Sequence, residues 1–595
     1  MPSLPNCGSL KAVDDADHAV ARVHEICFIG AGYVGGPAAA VMAFQNPDIK
    51  VTVVDRDVAR IRRWNSRRLP IYEPDLSHIV RIARDGSRAT SIDAPLRNDS
   101  KDKSISIPSR APNLSFSTCT GDVIGRADII VISVNTPTKE WGFGAGSATD
   151  MANVEDVSAL IARYAQEGAI IVEKSTVPCR TAELIADTLA MHRPGIHFDI
   201  LSNPEFLSAG SAIHDLLFPD RILIGSAPTA SGRRAAETLA KIYNAPGWVP
   251  RNSIQTIGVW SSELAKLVAN AMLAQRISSI NSISAVCEKT GADVDEVARA
   301  VGIDPRIGDK FLTAGIGFGG SCFKKDVSSL VYLAETLKLP EVAEYWRHVI
   351  DMNRYARDRF SGRIIKCLNN TLIGKKICIL GFVFKKDTSE TREAPALEMI
   401  QTLLEEQPRE IGVYDPHCDP VAIRKEIKNV LGYEVLVYDD PYDACDGSTA
   451  LIIATDFDQF RTESRLQAPI PVKRSSTNRT PDPRPFCTNN PTLTELFILH
   501  KHLVGASASH DPLGLFNNEP DYDDDHTDSI PGKRGEKATG QANAHERVKR
   551  IDWVRITQSM AMPRWIFDGR GIIDPRDMAK FGVRVESVGR QYQLS

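Results

Sequence analysis

The stretch Ile26-Cys27-Phe28-Ile29-Gly30-Ala31-Gly32-Tyr33-Val34-Gly35-Gly36 decides the fold. Four apolar residues make a short buried strand, and glycines in G-x-G-x-x-G spacing follow at once. Ala38 to Phe44 then reads as a helix and Val51-Thr52-Val53-Val54-Asp55 as the next strand. Strand, glycine turn, helix, strand is a βαβ unit whose right-handed crossover builds a parallel sheet. Gly30 permits the tight turn, Gly32 admits a pyrophosphate to the backbone, and Gly35 lets the helix pack closely. The helix start offers free N–H groups to a phosphate. Asp55 stands 20 residues after Gly35. There it can accept from a ribose 2′-hydroxyl and repel a 2′-phosphate, which favours NAD over NADP. The bland alternative is a tight βα turn with no ligand.

Outward from this unit, strand-like runs continue at Ile129 to Val134, Ala169 to Val172 and Ile200 to Leu201. A stretch rich in Ser, Arg and Asp, 86–110, reads as a solvated surface insertion. From 258 to 368 the pattern turns helical, with Leu264, Leu267, Val268, Ala271 and Met272 on one face. A second βαβ-like start appears at Ile377-Cys378-Ile379-Leu380 before Gly381, with Val413-Tyr414-Asp415 and Leu451 to Ala454 as later strands. The fold class is α/β: two Rossmann-like parallel-sheet domains joined by a central helical domain. The expected boundaries are a polar tail 1–24, domains at 25–257 and 258–368, and a last domain of 369–460 plus 551–595. Between them, 461–550 combines proline-rich, acidic and Gly/Lys-rich tracts and reads as a mostly disordered insertion, with a helix conceivable only at Leu493 to Leu503.

Composition excludes several classes. With 71 basic and 75 acidic residues among 595, the net charge of −4 provides no field for nucleic acid or anionic lipid. No apolar run approaches membrane-helix length, and the polar amino end lacks a signal-peptide core. Eleven cysteines without a C-x-x-C pair read as free thiols in a reducing, cytoplasmic setting. Sequons at Asn98, Asn113, Asn369 and Asn478 would go unused there. No histidine or cysteine set has metal-ligand spacing, so no metal is expected.

A second glycine-rich segment runs from Gly315 to Asp326 and presents Cys322 on a tight turn. A nearby cation would make its thiol a nucleophile, but a cysteine there can equally be a small apolar filler. Lys266 and Asn270 stand one helical turn apart, opposite the Leu264/Leu267/Val268 stripe, where periodicity alone calls them solvated. Glu205, in Ser202-Asn203-Pro204-Glu205-Phe206, can be a base or merely a turn acid.

Together these segments are similar to the UDP-glucose/GDP-mannose dehydrogenase family, and within it to the animal and fungal UDP-glucose 6-dehydrogenases. The matching stretches are GAGYVGGP, VTVVD, LPIYEP, SVNTPTK, EKSTVP, LSNPEFL, WSSELAKLVANAMLAQRISSINSISA, GFGGSCFKKD, GFVFKKDTSETRE, YDACDG and FDGR, in family order. The resemblance implies a four-electron oxidation of UDP-glucose to UDP-glucuronate with two NAD reduced in turn. The aldehyde is caught by Cys322 as a thiohemiacetal, oxidised to a thioester and hydrolysed. It implies that Lys266 stabilises oxyanion charge beside Asn270, while Thr176, Glu205 and Asp326 orient water and handle protons. Cofactor contacts carried over are Gly30, Ala31, Gly32, Tyr33, Val34, Gly35, Asp55, Arg60, Val134, Asn135, Thr136, Pro137, Thr138, Ser175, Thr176, Val177 and Arg392. Substrate contacts are Glu205, Phe206, Leu207, Lys266, Asn270, Arg306, Thr313, Ala314, Gly315, Ile316, Gly317, Phe318, Gly319, Lys385 and Arg570. By the same resemblance the first domain binds NAD, the central helices pair subunits, the last domain binds the UDP-sugar, and the chain forms a homo-oligomer: a dimer or higher, up to a hexamer.

Two departures stand out. Ala209 occupies the place where the family motif continues with a cofactor-side glutamate. The insertion 461–550 spans a gap the family crosses in a few residues, either as a tolerated loop or as sequence a spliced transcript lacks. Rival functions are another nucleotide-sugar dehydrogenase, acting on UDP-N-acetylhexosamine or GDP-mannose, and a catalytically silent nucleotide-sugar binder. A simple two-electron dehydrogenase would not need Cys322.

Overall fold

The computed structural model describes residues 22–88, 90–93, 104–107, 109–462, 464 and 550–591. Nearly all of the 1–24 tail and of 461–550, including the helix expected at Leu493 to Leu503, lies outside the described residues.

The opening strand β1 (Glu25–Ile29) is buried from Ile26 onward and pairs in parallel with β2 (Lys50–Val54). The helix between them, Gly35–Gln45, begins three residues earlier than the sequence pattern suggests and is buried along its whole length. Within the 86–110 stretch, β3 (Thr90–Asp93) and β4 (Ser104–Ile107) form an antiparallel hairpin, so the polar segment carries some regular structure. Strands β5 (Leu114–Ser117), β6 (Ile129–Ile132), β7 (Ile170–Glu173), β8 (Asp199–Ser202), β9 (Ile222–Ser226) and β10 (Ile254–Gly258) complete a sheet in the order β10-β9-β8-β7-β6-β1-β2-β5. Strand order reverses between β1 and β6, and a ligand crevice opens beyond the carboxyl ends of strands at such a point. Gly30 follows β1 there, with φ +107°, and a Cβ on it would fall 2.5 Å from the Ser133 carbonyl after β6.

The second sheet repeats the device. Strands β11 (Lys376–Leu380), β12 (Glu410–Tyr414), β13 (Leu436–Val437), β14 (Ala450–Ile453), β15 (Trp565–Asp568) and β16 (Arg584–Ser587) lie in the order β13-β12-β11-β14-β15-β16. Gly381, at φ +87°, follows β11 at the reversal, and a Cβ there would meet Thr455 at 2.5 Å. In each sheet the acid after the second strand accepts from the turn: Ala31 N donates to Asp55 at 2.8 Å and Phe382 N to Asp415 at 2.7 Å. The two halves are echoes of one construction. Alternation is absent from β6, β11 and β14, whose residues are buried throughout because helices cover both faces.

Between the sheets run helices Val259–Thr290, Val294–Gly302, Phe323–Thr336 and Pro340–Cys367. The first has 32 residues, about 48 Å at the usual rise. It ends where Gly291 adopts φ +84° and its N–H caps the Cys287 carbonyl. Among the described residues no helix is long and apolar enough to cross a membrane.

Candidate active site

A cavity of about 2860 Å³ lies between the first sheet, the long central helix and the second sheet. A single small-molecule site usually occupies roughly 300–1,000 Å³, so this one has room for two nucleotide-sized ligands.

One wall is the glycine turn. Gly30, Gly32, Tyr33, Val34, Asp55 and Arg60 line it, joined by Val134 to Thr138 after β6 and by Ser175 and Thr176 after β7. The three glycines serve different ends. A Cβ on Gly35 would stand 2.0 Å from the Gly30 carbonyl, whereas one on Gly32 would meet no protein atom within 4 Å. The first is demanded by packing; at Gly32 only a ligand would object to bulk, which fits a pyrophosphate. Asp55 accepts from Ala31 N and pairs with Arg60 at 3.0 Å, so its carboxylate is fixed in place. Ala31, Gly35 and Val177 support this wall without lining it.

The same cavity is lined by Lys266, Asn270 and Cys322. Cys322 is exposed to the cavity at the amino end of helix Phe323–Thr336, the end at which negative charge is favoured. Lys266 and Arg392 both lie within electrostatic reach of it. One turn on, Asp326 is 1% exposed. Asn270 Nδ2 donates to its Oδ2 at 2.6 Å, and Lys325 stands 3.8 Å from Oδ1, which makes no hydrogen bond among the described residues. Burial pushes the Asp326 carboxyl up from the ordinary range, against the pull of Lys325, Lys266 and Asn270. Lys266 moves the other way: burial pushes it down, opposed by Asp326, Cys322 and Glu205.

Lys266 and Asn270 are therefore buried, at 9% and 8% exposure, where periodicity calls for solvent. The cause is tertiary. The long helix packs against helices Phe323–Thr336 and Pro340–Cys367 on one side and against β8 and β9 on the other, so the face opposite the apolar stripe looks into the cavity.

Glu205 lines the cavity but is saturated from behind. Its Oε2 pairs with Lys174 at 2.9 Å, and its Oε1 accepts from Phe206 N and Leu207 N at 2.9 and 3.2 Å. Lys174 also donates to Asn203 Oδ1 and the Tyr243 hydroxyl, all inside the first domain. Burial alone would raise the Glu205 pKa; the charge and hydrogen bond of Lys174 outweigh it and hold the carboxyl below its usual range. The Phe206 ring is flanked by Arg221 at 4.2 Å and Lys266 at 5.2 Å. Lys174, Tyr243 and Arg221 had no local signal, because their partners come from other elements.

Of the remaining expected contacts, Leu207, Gly319, Lys385 and Arg392 line the cavity. Thr313 to Phe318 do not: Ile316 and Phe318 are core residues, and the segment is held by Asn281 Oδ1, which accepts from Gly315 N at 2.8 Å, and by Asn353 Oδ1, which accepts from Phe318 N at 2.7 Å. Arg570 is packed against the Ala454 and Phe384 carbonyls. Arg306 is solvent-facing and paired with Asp304. Among the described residues no group of His, Cys, Asp and Glu could hold a metal ion.

Fold and site together define a dinucleotide-dependent oxidoreductase whose cavity is lined by both its glycine turn and an exposed cysteine. Models of the UDP-glucose/GDP-mannose dehydrogenase family match at residues 24–106 and 94–245 (NAD binding domain), 260–355 (central domain) and 378–475 (UDP binding domain). The chain belongs to that family. It is 43% identical to UDP-glucose 6-dehydrogenase of Drosophila melanogaster over 96% of this chain and 97% of that protein. With the Pongo abelii UDP-glucose 6-dehydrogenase it shares 48% over 74% of this chain and 85% of that protein. A UDP-glucose dehydrogenase from Pyrobaculum islandicum superposes with a TM-score of 0.61 at 28% identity, covering 75% of this chain and 92% of that one.

Proposed function

We propose that this chain is an NAD-dependent UDP-glucose 6-dehydrogenase. The observation that carries it is that Cys322, Lys266 and Asn270 line the same two-ligand cavity as the glycine turn, with the buried Asp326 hydrogen-bonded to Asn270 behind them. NAD, when bound over that turn, supplies the hydride acceptor.

The chain's own groups supply the rest. The Asp326 side takes the C6 hydroxyl proton as hydride leaves, and Lys266 and Asn270 meet the charge developing on oxygen. Cys322 then adds to the aldehyde carbon, giving a thiohemiacetal that cannot escape while cofactor is exchanged. Loss of a second hydride together with the hydroxyl proton of the adduct, which passes to solvent, leaves a thioester, and water, activated by Asp326, displaces the thiol to give the carboxylate. Glu205, saturated by Lys174 and two N–H groups, serves as a fixed anion beside Thr176 rather than as the shuttling base. Lys385 faces the UDP diphosphate. Arg306 lies beside the exposed Ile303 and Ile307, a surface suited to a second copy of the chain, which would bring this arginine to a partner's site. The homo-oligomer, dimer or larger, is checked by sedimentation, where a monomer at working concentration would remove it. The scattered free thiols suit a cytoplasmic enzyme.

Replacing Asp326 by Asn is expected to lower kcat by about 10²-fold. Activity needs the carboxylate, so in the wild type it is present above the raised Asp326 pKa and lost as pH falls through it. That acid limb should sit above the ordinary aspartate value and vanish from the residual rate of the variant. Competition of UDP-glucose against UDP-N-acetylhexosamine and GDP-mannose in one kinetic assay tests the substrate: UDP-glucose should win by kcat/KM, and preference for either rival would replace this assignment.

A further inference from the structure

The loop 208–212 carries Ser208, Ala209 and Ser211 on the cavity wall, and it is held from behind by a residue the reaction does not use. Glu73 lies between helices Val58–Trp64 and Leu76–Asp85 and is 4% exposed. Its Oε1 accepts from Gly210 N at 2.7 Å and its Oε2 from Ala212 N at 3.0 Å. Both donors, one buried and one part-buried, are thereby satisfied by one carboxylate, and such charge-assisted bonds are the strong ones. Asp215 ties the same loop through Ser208 N at 2.9 Å and Ser211 Oγ at 3.0 Å. Gly210 has φ +82°, and a Cβ on it would stand 2.8 Å from the Asp387 carbonyl, so the loop abuts the second domain closely.

Across that contact Lys385 Nζ donates to Ser208 Oγ at 2.8 Å. The ammonium sits among the charges of Glu73, Asp215, Asp387 and Asp456. A lysine has many rotamers, and one already held in place loses less freedom when an anion arrives.

We propose that Glu73 is a positioning residue for Lys385: by fixing the loop it fixes Ser208, and Ser208 holds the lysine at the cavity edge, aimed at the diphosphate of the nucleotide sugar. The proposal rests on Lys385 being a diphosphate contact, as given above.

The test is calorimetric titration of UDP into the full chain and into Glu73→Gln, Ser208→Ala, their combination, and Lys385→Met. Glu73→Gln and Ser208→Ala should each weaken UDP by about fivefold. The double variant should be no weaker than either single one, because both act through one contact. Multiplying effects in the double variant would overturn the proposal. So would an unchanged affinity in Ser208→Ala, whose exposed side chain is no threat to folding. If Lys385→Met weakens UDP and Glu73→Gln does not, the positioning role fails while the site stands. If Lys385→Met has no effect, or the wild type does not bind UDP, the site assignment fails and the proposal with it.

Discussion

Cys322→Ser is expected to abolish steady-state release of UDP-glucuronate, with kcat down by about 10³-fold or more, while still producing some NADH from the first oxidation. A serine hydroxyl is a far weaker nucleophile than a thiol at neutral pH, so it captures the aldehyde poorly in this place. In the proposed mechanism the first hydride transfer uses Lys266, Asn270 and Asp326 and leaves position 322 untouched; the second requires a covalent adduct that serine forms poorly. Rapid-mixing measurement of NADH alongside chromatography of the sugar nucleotides separates the two stages. Free UDP-glucuronate made by the variant at wild-type rates would sink the covalent route.

Lys174→Met should cost the first domain about 3–5 kcal/mol, the range for removing one partner of a buried ion pair. The lysine is 4% exposed and its ammonium reaches Glu205, Asn203 and Tyr243 inside the domain. Without it Glu205 is left as a buried charge offset by its two backbone donors and by the more distant Lys266. Denaturant unfolding of Lys174→Met and of Lys174→Met/Glu205→Gln measures this, and the double variant should recover part of the loss. Equal stability of single and double variants would show that Glu205 is not held as an anion. The wild-type pair also has a signed pH dependence. Because the folded Glu205 pKa lies below its ordinary value, the stabilisation is complete above that value and fades as pH falls through the depressed one.

The cofactor wall was legible because its determinants are contiguous. One strand, three glycines and the acid of the next strand fall within thirty-odd residues, and each glycine answers a separate steric demand at Gly30, Gly32 or Gly35. Cys322 stood out for the same reason, in a run where backbone must approach closely. Helical periodicity misplaced Lys266 and Asn270, because it assumes one buried face, whereas this helix is covered on two sides and opens onto a cavity on another. Family resemblance, not spacing, singled them out. Glu73, Lys174, Tyr243, Asn281 and Asn353 were invisible: each acts on a backbone or side chain brought to it by the fold, and no local pattern marks a buried polar residue by its distant partner. The glycine run illustrates the converse. From Gly315 to Phe318 it looks like ligand-binding loop, yet there the small residues serve close packing against Asn281, Asn353 and Arg570.

The most direct measurement is the amount of NADH formed per UDP-glucose consumed by the full chain. Two per sugar, with UDP-glucuronate as the product, is the result required by a cycle in which Cys322 holds the aldehyde between oxidations. One per sugar, with the aldehyde released, would contradict the covalent capture on which the assignment of this site depends.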